Sequence, residues 1–112
     1  MHRFIALLCQ EIPSLQTIFD EHISDYDDLL PHVFVGDLTR HIGKLAVEPE
    51  GVETAAKIIQ LLEGGIREGS AEVQELIGVS FVENVPKLEQ VEVERTRSLF
   101  GPNLIAEDRR IN

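Results

Sequence analysis

The chain has 112 residues, 43% of them hydrophobic, enough to bury one core without metals or disulfides, so a single domain spanning 1–112 is expected. Cys9 is the only cysteine, which excludes an intrachain disulfide and a Cys-rich zinc site by count and makes a reducing cytoplasm the expected compartment. Twenty Asp and Glu against ten Lys and Arg give a formal net charge of −10, which argues against nucleic acid, whose binding draws on clustered Lys and Arg, and makes a basic protein surface the natural complement.

Apolar residues recur at helical spacing almost throughout, and strict alternation is short, so the predicted fold class is all-α. A first helix covers about Arg3 to Glu11, with Phe4, Leu7, Leu8 and Ile12 on one side and Pro13 forcing its end. Its apolar run, Phe4 to Cys9, is broken by Gln10 and Glu11, well short of the roughly 20 residues a membrane span needs. No small-residue cleavage site follows it, so a signal peptide is not expected either. Pro13 or Ser14 starts a second helix, with Leu15, Ile18, Phe19, His22 and Ile23 inward, which runs out near Tyr26 into an acidic segment.

Pro31 suits the first turn of a third helix holding Val33, Phe34, Leu38, Ile42 and Leu45, and Gly36 within it predicts a close helix-helix approach. After a loop over Val47 to Gly51, a fourth helix carries Val52, Ala55, Ile59 and Leu62, with Gly64, Gly65 and Gly69 marking its fraying end. Ser70 is a good N-cap for a fifth helix built on Val73, Leu76, Ile77, Phe81 and Val85, short of charge and expected at the centre. Pro86 closes it. A charge-laced sixth segment precedes the Gly101-Pro102 turn, and the tail through Leu104, Ile105 and Ile111 adds at most a final helical turn. Five to six helices joined by Pro- and Gly-marked turns predict stacked antiparallel pairs, an α-hairpin array, with a compact irregular bundle as the alternative.

No catalytic constellation emerges. Gly78-Val79-Ser80-Phe81-Val82 lacks the last glycine of a nucleophile elbow and sits mid-helix, and Gly64-Gly65 is followed by no Lys-Ser or Lys-Thr of a phosphate loop. Asp37 and His41, four apart on the third helix, are too few for a metal site; with Arg40 they make the best enzyme alternative, a metal-assisted hydrolase. The simpler reading pairs Asp37 with Arg40 as a buried structural bridge beside Gly36, and gives Glu83 and Asn84 structural roles, with Asn84 capping the segment that follows. No cofactor and no metal are expected.

The run Leu30-Pro31-His32-Val33-Phe34-Val35-Gly36-Asp37-Leu38-Thr39-Arg40, followed by Val73-Gln74-Glu75-Leu76-Ile77-Gly78-Val79-Ser80-Phe81-Val82-Glu83-Asn84, resembles a family of small, acidic, helical bacterial proteins. Such proteins look like the immunity partners of polymorphic and contact-dependent inhibition toxins. The resemblance implies a non-enzymatic protein that neutralises a toxin domain by steric and electrostatic blockade; a helical adaptor with a peptide groove is the rival from another class. On the immunity reading the interface falls on the densest acidic patch, Asp20, Glu21, Asp25, Asp27 and Asp28, with Tyr26 as aromatic anchor.

Overall fold

Proline sets three of the helix boundaries, at Pro13, Pro31 and Pro102, in the computed structural model of the chain, which describes residues 1–112. Helix α1 (His2–Glu11) stops because Ile12, preceding Pro13, is driven to an extended φ of −123°. A 3-10 turn, Pro13–Leu15, then leads into α2 (Gln16–Tyr26). Helix α2 ends at Asp27, the one non-glycine residue with positive φ, at 58°, whose amide donates to the Ile23 carbonyl. Asp tolerates this left-handed conformation because its short polar side chain can hydrogen-bond locally.

Helix α3 (Pro31–Ala46) begins on Pro31 as expected, and eight of its residues are buried, including Phe34, Val35, Leu38 and Ile42. Helix α4 (Val52–Glu68) runs straight through Gly64 and Gly65 to end at Gly69, so those glycines do not mark a fraying end. Gly65 lets α4 pack closely. A Cβ there would stand 2.5 Å from Ile77 Cδ1 and 2.9 Å from Phe4 Cε1, tighter than packed atoms allow. Gly36 is looser than the sequence suggested: a Cβ would meet only Asn84 Nδ2, at 3.9 Å.

Ser70 caps α5 (Ala71–Ile77), its hydroxyl accepting from the Val73 amide at 3.2 Å. The predicted long fifth helix then widens into a π-helical turn, Gly78–Val82, in which the Glu83 amide reaches back to the Gly78 carbonyl. This turn and α3 pack against each other at the centre. After a 3-10 turn at Val85–Lys87, helix α6 (Gln90–Ser98) starts with a capping box between Glu89 and Glu92. The tail is a full seventh helix, α7 (Pro102–Ile111).

Seven helices and no strand confirm the all-α class and exceed the predicted five to six by one. The radius of gyration is 12.9 Å and the extents are 34 × 32 × 23 Å, close to the ~13 Å expected of a compact chain this long, so the bundle alternative describes the fold better than an extended hairpin stack. One cluster of 21 buried apolar side chains forms the core, from Ile5 and Leu8 of α1 to Leu104 of α7. No helix is long and apolar enough to cross a membrane.

Candidate functional site

The largest concavity is an open groove of about 640 Å³ between α1 and α2. Its walls follow helical periodicity. His2, Ala6 and Cys9 lie along one face of α1, while Gln16, Phe19, Ile23 and Asp27 lie along α2. Beyond the Pro13–Leu15 turn that joins them the two helices make little contact, α1 resting on α4 and α2 on α3. The short side chains of Ala6 and Cys9 leave unfilled the space that Phe19 and Ile23 face. Leu29 and Asp28, from the α2–α3 connection, complete the lining.

The acidic segment does not form one patch. Asp20, Glu21, Asp25, Asp27 and Asp28 are all exposed, but α2 divides them between two faces. Asp27 and Asp28 rim the apolar groove. Asp20 lies beside it: burial first, and then the Asp20 carboxylate, pushes the Cys9 thiol above its ordinary pKa. Glu21 and Asp25 instead face α3 across a second, polar recess of about 250 Å³. Tyr26 is 48% exposed, its ring 4.9 Å from that of His22.

That second recess also holds Asp37, Arg40, His41 and Lys44 of α3. Asp37 and Arg40 do pair, but on the surface: Arg40 is 65% and Asp37 35% exposed, so the pair is not a buried bridge and is worth only about 0.2–0.5 kcal/mol. His41 is held below its ordinary pKa by burial and then by Lys44, which favours the neutral ring. No three His, Cys, Asp or Glu side chains stand together as a set of metal ligands, and Arg40 and Lys44 would oppose a cation beside Asp37 and His41. Beneath the recess His22, 2% exposed, accepts the Leu30 amide on Nε2 at 2.9 Å. Through that bond the ring anchors the α2–α3 connection just before α3 begins.

The structure brings together the two sequence blocks that stood out. His32 Nδ1 lies 2.6 Å from Ser80 Oγ. The Ser80 carbonyl, set aside from regular helical bonding by the π-helical turn, accepts from Asn84 Nδ2 at 2.8 Å and lies 3.1 Å from Thr39 Oγ1, whose single proton it shares with the Val35 carbonyl at 2.7 Å. Asn84 thus bonds backward instead of capping the 3-10 turn that follows. A Ser-His contact invites a nucleophile reading, yet Ser80 is 3% exposed, which shields its hydroxyl from the surface. Glu83 is exposed and within electrostatic reach of Arg110 on α7.

Sequence reasoning missed one polar residue of structural weight. Glu63, on the buried side of α4, accepts from the Asn103 amide and Asn103 Nδ2, each at 2.7 Å, and from the Leu104 amide at 3.0 Å. It caps α7 from another helix. Burial raises its pKa, but the hydrogen bonds from Leu104 and Asn103, helped by Arg67, outweigh that and leave it below the ordinary carboxylate value. Its signal in the sequence was a lone carboxylate on an apolar stripe, between Leu62 and Gly64.

No curated protein and no solved structure matches the chain. A family model described as a domain of unknown function, DUF7674, matches residues 5–110. Since that match covers α2 to α6 entirely, most of α1 and α7, and both blocks that pack around Ser80, the chain belongs to the DUF7674 family.

Proposed function

We propose that this chain is a protein-binding module that neutralises a basic partner, in the manner of an immunity protein blocking a toxin domain. The observation that carries the reading is the juxtaposition at α2: an unfilled apolar groove rimmed by the exposed carboxylates of Asp27 and Asp28, with Asp20 within electrostatic reach of Cys9 on its wall. Long-range attraction from a chain of net charge −10 speeds encounter with a basic surface, and apolar burial in the groove then slows dissociation. The ion pairs of the fold engage Asp37, Glu68, Asp108 and Glu107. Asp20, Asp27 and Asp28 are thus left without a cationic partner. A toxin domain that cuts nucleic acid presents the complementary basic cleft.

On this reading the gene stands directly downstream of one encoding a large secreted toxin. Co-expression of the chain with that toxin's C-terminal domain restores growth and yields a complex whose association rate falls with salt. Toxicity that persists while the chain is folded and abundant would sink the proposal. The adaptor reading, in which the groove holds a peptide of a non-toxic partner, is favoured by the groove alone and predicts binding without protection of cells.

A further inference from the structure

We infer that the groove between α1 and α2 seats a short amphipathic segment of the partner, one that inserts bulky apolar side chains and carries lysine or arginine beside them. The inference rests on the protein-binding reading above and names the contact that would make it specific.

Size and lining come first. About 640 Å³ is in the range of pockets that take several side chains. The lining face of α1, from His2 to Cys9, extends for about 10 Å at 1.5 Å per residue, roughly two turns of a partner helix. A segment of that length presents two or three apolar residues at spacings of three and four. Phe19, Ile23 and Leu29 supply the apolar wall they would meet, and Ala6 and Cys9 leave the room.

Charge then selects among occupants. Asp27 and Asp28 stand at the rim, Asp20 lies beside Cys9, and no lysine or arginine lines the groove. A second copy of this chain would bring another net charge of −10 against those carboxylates, and like charges across an interface are costly. An acidic peptide or the carboxylate end of a lipid meets the same repulsion. A segment with apolar anchors and adjacent cations is attracted by rim and wall together. The backbone of Asp27 is also held in place: its left-handed conformation and its amide bond to Ile23 fix the end of α2, so binding need not order the main chain at that rim.

The test selects a random 12-residue peptide library, displayed on phage, against the full chain and then measures the enriched peptides on the full chain and on Ala6→Trp. Ala6 is exposed, so tryptophan there fills the groove from its open side without entering the core. Enriched peptides are expected to pair apolar residues with lysine or arginine and to lose roughly tenfold or more in affinity on Ala6→Trp, the size of one lost apolar anchor. Asp27→Asn with Asp28→Asn should weaken the same peptides and flatten their salt dependence, asparagine being the substitution that tolerates the backbone of Asp27. A readout that needs no variant is alkylation of Cys9, the only thiol in the chain: saturating peptide should slow it. Enrichment of acidic or purely polar sequences, no enrichment at all, equal binding to Ala6→Trp, or unchanged Cys9 reactivity under saturating peptide would each overturn the inference. Should peptides fill the groove while Ala6→Trp still protects cells from the toxin, the immunity reading stands on another surface. Groove binding with no protection by either protein would instead leave the groove inference and remove the immunity reading.

Discussion

Replacing Glu63 tests how a helix that looked like a tail is held to the fold. Its carboxylate accepts three hydrogen bonds at the start of α7, two from backbone amides and one from the Asn103 side chain. Losing a helix N-cap costs about 1 kcal/mol, and hydrogen bonds to a charged group contribute about 1.5–3 kcal/mol each. These gains overlap, and water can reach the half-buried Asn103 but not the fully buried Leu104. Glu63→Ala should therefore destabilise the protein by about 3 kcal/mol, a substantial part of the roughly 6–17 kcal/mol expected for a domain of this length. At about 4 °C per kcal/mol that lowers Tm by about 12 °C at neutral pH. The pH dependence has a definite sign. Because the folded pKa lies below the ordinary carboxylate value, the contribution is complete above the unfolded pKa and disappears as pH falls through the folded one. Thermal melts of wild type and Glu63→Ala from pH 7 downward should converge in acid, and amide exchange at Leu104 should accelerate in the variant. A variant melting within about 1 °C of wild type at pH 7, or a gap that stays constant into acid, would refute the capping role.

Gly64→Ala should raise stability by up to about 1 kcal/mol, because a methyl there meets nothing within 4 Å and alanine is the better helix former. The adjacent Gly65→Ala should lower Tm, since its Cβ would press on Ile77 and Phe4; chemical denaturation of the two variants side by side separates the outcomes. Arg40→Ala should leave the melting curve within about 2 °C of wild type, because its pair with Asp37 is solvent-exposed. Cys9 should react with iodoacetamide more slowly at pH 8 than a free thiol does, burial and Asp20 having raised its pKa, and a mass-spectrometric time course measures this directly.

Much of the fold follows from local chemistry. Pro13, Pro31 and Pro102 act within one or two residues, through a fixed φ and a missing donor, and the Ser70 cap acts within one turn. Such signals survive in a single sequence, which is why α1 through α5 begin close to where the residue pattern places them. The composition likewise determines the net charge of −10 and, with a single cysteine, excludes an intrachain disulfide. Other features depend on residues far apart in the chain. Helix α7 has no side-chain cap of its own; its amides are satisfied by Glu63, forty residues away. The π-helical turn is stabilised by Thr39 and His32 from α3, so the pattern of α5 alone reads as an uninterrupted helix. Asp37 and Arg40 pair as their spacing allows, but spacing cannot say whether a helix face meets protein or water, and here it meets water. The acidic run from Asp20 to Asp28 was legible as charge. Its division between an apolar groove and a polar recess was decided by packing, because α2 rests on α3 along one side and stands apart from α1 along the other.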